Sequence, residues 1–253
     1  MPVLGLGTWQ LTDDTAGTVE EALRLGYRMI DTSSDYGTHV GIGEAIRRSD
    51  VDRAQIYLVT KVEEDDDTYE ATREYLGELG QDYADLMLIH RPPPTGVGQD
   101  LWEGLIRARD GGLAKEIGVS NYSTDQIEEL IDASGEIPAV NQIEWSPFGW
   151  SQKMLDYCRD RGIVIQAYSP LTRGQRLGDE RLNELAAEYS RTPAQLLIRW
   201  NLQLGVAPLP KANRRDHFAE NLGVFDFEIS DNHMTELSAL NEQYSSLTSL
   251  PYV

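Results

Sequence analysis

The sequence predicts an α/β fold, a (β/α)8 TIM barrel formed as a single domain over residues 1–253. Three observations predict it. Short apolar, β-branched runs alternate with amphipathic stretches of about ten to fifteen residues, the pattern of βαβ units around a parallel sheet. Eight such runs occur, and a barrel of this kind takes about 250 residues as one unit. From the second run onward each ends in a polar or ionisable residue, and a closed barrel would gather these ends on one rim.

The first strand is expected at 3–7 and the first helix at 15–25, with Gly26 as its stop. Strand 29–31 and helix 42–48 follow, then strand 56–60 and helix 68–79, ended by Gly80. Strand 86–90 leads through three consecutive prolines to helix 101–109, and strand 116–120 leads to helix 124–133. The run Ser123-Thr124-Asp125-Gln126 supplies that helix with a capping hydroxyl. Strand 139–142 precedes helix 151–161, which Gly162 stops. After strand 164–168 come helices 182–188 and 193–203, the second opened by Thr192 with Pro193 at its first position. Strand 207–210 closes the set, and a helix at 231–240 is expected to pack outside. The irregular pieces 91–100 and 170–178 both follow strands, so both are expected on the rim that carries active sites. The short tail from 244 to 253 predicts an open pocket.

Composition excludes several classes. Asp and Glu number 42 against 22 Lys and Arg, a formal charge of -20 that repels nucleic acid and anionic membranes. Only Lys61, Lys115, Lys153 and Lys211 are lysines. The acids, Glu63 to Asp67 among them, read as solvated. They form either an acidic partner surface or an adaptation to molar salt, where the Debye length falls to about 3 Å. Scarce lysine beside retained arginine is the halophile's pattern and favours the second. No run of eighteen apolar residues exists, the N-terminus has no signal-like pattern, and Cys158 stands alone. A soluble cytoplasmic protein is the expectation. His39, His90, His217 and His233 show no ligand spacing, so no metal site is expected. His39 and His233 read as surface residues.

The rim set is Asp31, Lys61, His90, Ser120 with Asn121, Gln142, Tyr168 with Ser169, and Lys211. Around it lie LGLGTW (4–9), IDTSSDYG (30–37), TKV (60–62), LIHRP (88–92), GVSNY (118–122), NQIEWSPF (141–148), AYSPL (167–171) and LPKA…EN (209–221). In content and order these blocks resemble the aldo-keto reductases, over nearly the whole chain. The overall pattern is most similar to the small prokaryotic branch that includes 2,5-diketo-D-gluconate reductases.

The resemblance implies NAD(P)H-dependent reduction of an aldehyde or ketone by a monomer, the family's default state; a small aldehyde or keto sugar acid is the expected substrate. Tyr36 is then the general acid, supported by Asp31, Lys61 and His90. A phenol titrates near pH 10, so a neighbouring Lys61 ammonium is expected to lower it, with Asp31 holding Lys61 and His90 orienting the carbonyl. Thr8 and Asp31 would approach the nicotinamide ribose; Ser120, Asn121 and Gln142 its carboxamide; Tyr168 would stack on the ring. Ser169 and Leu171 would line the pyrophosphate, and Glu220 and Asn221 the adenine. The family's 2′-phosphate site reads Lys-Ser with an Arg six residues after the Lys; here Ala212 and His217 stand in the Ser and Arg places. Lys211, Arg214 and Arg215 remain, so NADPH is expected and NADH stays possible. Trp9, Tyr36, His90 and Arg91 are the expected substrate contacts, with Phe148 and Trp150 as further walls. Trp102 and Trp200 are expected between helices and barrel.

Three departures from the family stand out: the N-terminal hairpin under the barrel is absent or reduced, Arg91 follows the histidine where Trp is frequent, and Trp145-Ser146 replaces Tyr-His. Either the gene start is misplaced, or Pro2 and its neighbouring side chains close the floor. Two rivals remain, a catalytically silent nicotinamide-binding regulatory protein and a lyase forming a Schiff base on Lys61.

Overall fold

In the computed structural model, which describes residues 1–11, 13–247 and 250–252, eight parallel strands pair in chain order. They are β1 (Leu6–Gly7), β2 (Met29–Asp31), β3 (Tyr57–Val62), β4 (Ala84–Ile89), β5 (Ala114–Ser120), β6 (Val140–Glu144), β7 (Val164–Tyr168) and β8 (Ala207–Pro208). Gly5 N donates to Pro208 O at 3.1 Å and Gly7 N to Pro210 O at 3.3 Å, joining the last strand to the first. Both seam strands are shorter than the sequence suggested. Pro208 and Pro210 have no N–H, so β8 offers carbonyls and few donors. Gly7 lets the seam close, because a Cβ there would lie 2.8 Å from Leu209 O.

Ten helices surround the strands among the described residues: α1 (Thr15–Leu25), α2 (His39–Arg48), α3 (Thr68–Leu79), α4 (Gln99–Asp110), α5 (Thr124–Ser134), α6 (Gln152–Arg161), α7 (Glu180–Glu188), α8 (Pro193–Gln203), α9 (Arg215–Leu222) and α10 (Asp231–Ser238). Ser123 and Thr192 form full capping boxes with Gln126 and Gln195. Gly26, Gly80 and Gly162 end their helices in the left-handed conformation, as their positions predicted. α9 was not expected, because its polar sequence offered only Phe218 and Asn221 for burial. α2 and α4 begin three and two residues earlier than periodicity suggested, their first turns being polar or glycine-rich.

Strand alternation builds the interior. Met29, Val59, Leu86, Leu88, Val140, Ala207 and Leu209 form one buried cluster inside the barrel. Side chains two residues further on point to the same face. Moving up by two therefore converts apolar filling into Asp31, Lys61, His90, Gln142 and Lys211. No strand precedes β1 among the described residues. At the barrel floor the sulfur of Met1, next to Pro2, lies 3.2 Å from Gln166 Nε2. Trp102 and Trp200 are fully buried outside the barrel, where their indole N–H groups reach Ser134 and Ser238.

Candidate active site

The strand C-terminal ends surround a cavity of about 930 Å³, the size range of cofactor pockets. At its base Lys61 is fully buried and its ammonium is saturated. Nζ donates to Asp31 Oδ1 at 3.1 Å, Asp31 Oδ2 at 3.0 Å and Thr32 O at 2.7 Å. Gln142 Nε2 donates to the same carboxylate at 2.7 Å and to Gln166 Oε1 at 2.9 Å. Asp31 thus neutralises one cation and accepts from one amide. An ammonium held by three acceptors is poorly disposed to attack a carbonyl, which counts against Schiff-base chemistry.

Tyr36 sits in a short 3-10 turn after β2, half-buried, on the cavity wall. Lys61 Nζ lies 5.0 Å from its ring centroid, and the His90 ring packs edge-on at 5.7 Å. Its hydroxyl makes no hydrogen bond to the protein among the described residues. The lowering expected from Lys61 does not occur. Burial pushes the phenol well above its ordinary value, and the carboxylates of Asp31, Asp35 and Glu63 push it further, with Arg91 opposing. The charge of Lys61 is already spent on Asp31.

His90 follows β4 and is nearly buried. Its Nδ1 lies 2.9 and 2.8 Å from the two oxygens of Glu63. Ser33 and Ser34 hydroxyls donate to Glu63 Oε1 at 2.8 and 3.0 Å. Burial would raise the Glu63 carboxyl, but hydrogen bonding and charge at His90, with the two serines, carry it down to about 2. Glu63 is thus no solvated acid. The sequence signal was there only as an acid two residues after Lys61, hidden in an acidic run. That run has other uses too: Asp66 accepts from Glu63 N and Tyr75 OH, both at 2.8 Å, and Asp67 caps α3.

Arg91 lines the cavity but its guanidinium is engaged, 2.7 Å from Asp35, 3.5 Å from Glu63 and 3.4 Å from Glu64. Trp9 lines the cavity too, with the Arg173 guanidinium 4.7 Å from its ring centroid. Phe148 and Trp150 do not line it. Phe148 is buried beneath Arg176, and Trp150 packs between Trp145 and Trp200. The tail contributes instead, for Leu247, Leu250 and Pro251 line the pocket. Buried Glu144 holds that tail, accepting from Ser245 Oγ at 2.6 Å and Ser246 N at 2.7 Å.

Of the expected cofactor contacts, Asp31, Ser120, Asn121, Gln142, Tyr168, Ser169, Leu171 and Lys211 share the cavity. Asn121 and Ser169 take left-handed φ values of 65° and 48°, which turn the chain sharply at the rim. Tyr168 OH donates to Asn121 Oδ1 at 2.8 Å, and Asn121 Nδ2 reaches His90 O at 3.1 Å. Thr8 is buried behind the rim, bonded to Asp31 O at 2.8 Å, and Thr8, Arg214, His217, Glu220 and Asn221 lie outside the cavity lining. Arg214 pairs with Asp216 and Arg215 approaches Glu21 at 3.5 Å. Asn221 is buried, with its side chain against the Tyr27 hydroxyl. Amide and hydroxyl donors, one aromatic face and a lysine on the cavity wall fit a nicotinamide dinucleotide.

The remaining histidines lie elsewhere. His39 is buried, bonded through Nδ1 to Glu78 at 2.8 Å and through Nε2 to Thr60 at 2.9 Å, and not on the surface as expected. His233 is half-buried with Tyr189 OH 2.7 Å from its Nδ1.

Residues 3–242 match the Aldo/keto reductase family. An aldo-keto reductase of Mycobacterium tuberculosis is 44% identical over 248 residues, covering 96% of this chain and 88% of that protein. The crystal structure of an aldo/keto reductase from Brucella melitensis superposes with a TM-score of 0.89 at 37% identity, over 95% of each chain. That of a Bombyx mori aldo-keto reductase in complex with NADP gives a TM-score of 0.91 at 31% identity, over 97% of this chain and 91% of that one.

Proposed function

The chain belongs to the aldo/keto reductase family, and from that premise we propose that it reduces a small aldehyde or ketone with NADPH, Tyr36 giving the proton. Family membership makes it an oxidoreductase that uses a nicotinamide cofactor on a carbonyl compound. The observation that carries the finer reading is the free Tyr36 hydroxyl on the cavity wall, backed by buried Lys61–Asp31 and flanked by His90.

The nicotinamide, when bound, supplies the hydride. The chain's own residues do the rest. Asn121, Ser120 and Gln142 would hold the carboxamide, Tyr168 would cover one ring face, and Ser169 and Leu171 would flank the phosphates. Thr8 would support the ribose side through Asp31, while Lys211, Arg214 and His217 would face the 2′-phosphate, and Glu220 and Asn221 the adenine. Tyr36 stays a phenol at neutral pH because burial and three carboxylates oppose its ionisation. As the substrate oxygen becomes an alkoxide, a stronger base than phenolate, the proton moves to it from Tyr36 Oη. Lys61, tied to Asp31 and 5.0 Å from the Tyr36 ring centroid, would hold the wall against which the phenol packs.

Arg91 is committed to Asp35, Glu63 and Glu64, which favours an uncharged aldehyde over a keto sugar acid. Trp9, Tyr36, His90 and Arg91 would border the substrate. We also infer a cytoplasmic monomer adapted to high salt. The buried Cys158 thiol, pushed up to about 12 by burial, fits no redox role, and no helix of the described residues is long and apolar enough to cross a membrane.

Absorbance at 340 nm with NADPH and with NADH, offering glyceraldehyde and a diketo sugar acid in molar KCl, tests the reading. Turnover with NADPH and faster use of glyceraldehyde are expected. Tight NADPH binding without turnover of any carbonyl would instead identify a nicotinamide-binding regulatory protein.

A further inference from the structure

Glu63 and His90 form a pair that the proton transfer from Tyr36 does not use. Both carboxylate oxygens lie within 2.9 Å of Nδ1, and two serine hydroxyls hold the carboxylate in place. An ionised carboxylate only accepts hydrogen bonds, so the proton of this contact belongs to Nδ1. Arg91 Nη2 also approaches Nδ1, at 3.4 Å, but a nitrogen that donates to Glu63 cannot accept from Arg91. The two shorter contacts decide the matter. Ser33 Oγ, 3.2 Å from Nδ1, gives its proton to Glu63, and Asp35, 3.7 Å away, is turned to Arg91 at 2.7 Å, so the Glu63 oxygens are the nearest acceptors.

A neutral imidazole carries one proton. With that proton on Nδ1, Nε2 is a bare acceptor, and it has no protein partner among the described residues. A carbonyl oxygen is also an acceptor, so the neutral ring and the substrate oxygen would repel one another. Only the imidazolium has an Nε2–H to give.

We propose that Glu63 is a positioning residue that fixes His90 in the Nδ1–H tautomer, so that His90 hydrogen-bonds the substrate carbonyl only as the imidazolium. This deepens the reductase reading and rests on it for the substrate half. Other charges face His90 as well: Asp35 and the Tyr36 hydroxyl from the turn after β2, Glu64 through Arg91 from the loop after β3, and Lys61 beyond the Tyr36 ring. Tyr36, held well above its usual range, does not titrate near neutrality, so its ionisation does not mask that of the imidazole. Arg91 reaches both Asp35 and Glu63, at 2.7 and 3.5 Å, and the cluster is an ion-pair network holding a histidine.

The test joins a spectrum with a rate profile. Long-range 1H–15N correlation spectra of 15N-histidine protein distinguish the tautomers, and His90→Gln identifies the His90 signals. Above the imidazole titration, wild type should show Nδ1 protonated and Nε2 bare. Glu63→Leu should move the ring toward the Nε2–H tautomer, and Glu63→Gln, which keeps an acceptor and the side-chain volume, guards against a folding artefact. kcat/KM for wild type should fall roughly tenfold per pH unit across the alkaline side of the titration that the same spectra record. In Glu63→Leu it should be lower at neutral pH by roughly 10- to 100-fold and nearly flat over the same range. A wild-type ring with its proton on Nε2 overturns the tautomer assignment. A wild-type kcat/KM that is flat across that range overturns the imidazolium requirement. If the protein turns over no carbonyl at all, the reductase reading fails, and the spectrum alone still accepts or rejects the tautomer.

Discussion

Replacing Asp31 by Asn keeps the shape of the side chain and removes its charge. Lys61, with a fully buried side chain, then faces an amide in place of two carboxylate oxygens at 3.0 and 3.1 Å. The amide nitrogen must point either at Lys61 Nζ or at Gln142 Nε2, which now reaches Asp31 at 2.7 Å, so two donors confront each other in either rotamer. Breaking a buried pair on one side costs about 3–5 kcal/mol, because the remaining charge is uncompensated. For a chain of this size each kcal/mol shifts Tm by about 2–4 °C, so a fall of roughly 6–20 °C is expected. Lys61→Met in the same background removes the stranded ammonium, and the double variant should recover most of the loss, giving a coupling energy of at least about 1.5 kcal/mol. Thermal and urea unfolding of the four proteins measure this cycle. An Asp31→Asn protein within about 0.5 kcal/mol of wild type, or strictly additive variants, would refute the reading of the pair as a mutually dependent buried unit.

Glu144→Ala removes the acceptor for Ser245 and Ser246, so trypsin-free proteases such as subtilisin should cut between residues 244 and 252 and the substrate KM should rise severalfold; unchanged cleavage would separate Glu144 from the tail. Glu63, lowered in the fold from 4.5 to about 2, adds stability that is complete above about pH 4.5 and is lost as pH falls toward 2. Tm of wild type should therefore drop more steeply through that window than Tm of Glu63→Gln. Added KCl should raise Tm and level off near molar concentration, where the Debye length reaches about 3 Å and the charge of -20 is screened. A Tm that falls on going from 0.1 M to 2 M KCl would sink the high-salt reading.

The barrel was legible because its signal is repeated. Alternation of apolar strand residues with helical spacing recurs around the chain, and strand ends carry their polar residues two steps above apolar ones, as with Val59 and Lys61. Caps were readable one by one, for Ser123 and Thr192 sit where local chemistry alone requires them. What was hidden depends on contacts between distant loops. Glu63 is indistinguishable in sequence from Asp65, and only the approach of the β3 and β4 loops makes it the partner of His90. The same holds for Glu144 and the tail, which meet across a hundred residues. Arg91 was seen as a cation at a pocket edge, but its three carboxylate partners come from two other loops. The direction of the Tyr36 shift was misjudged because a lysine's effect depends on what else has claimed its charge, and Asp31 has.

The central claim is that Tyr36 delivers the proton, and Tyr36→Phe tests it most directly, since the ring and its packing on His90 stay while the hydroxyl goes. NADPH affinity, followed by quenching of tryptophan fluorescence, should remain within a few-fold of wild type, while kcat falls on the order of 10²- to 10⁴-fold. A Tyr36→Phe protein that binds NADPH and turns over at the wild-type rate would contradict the account.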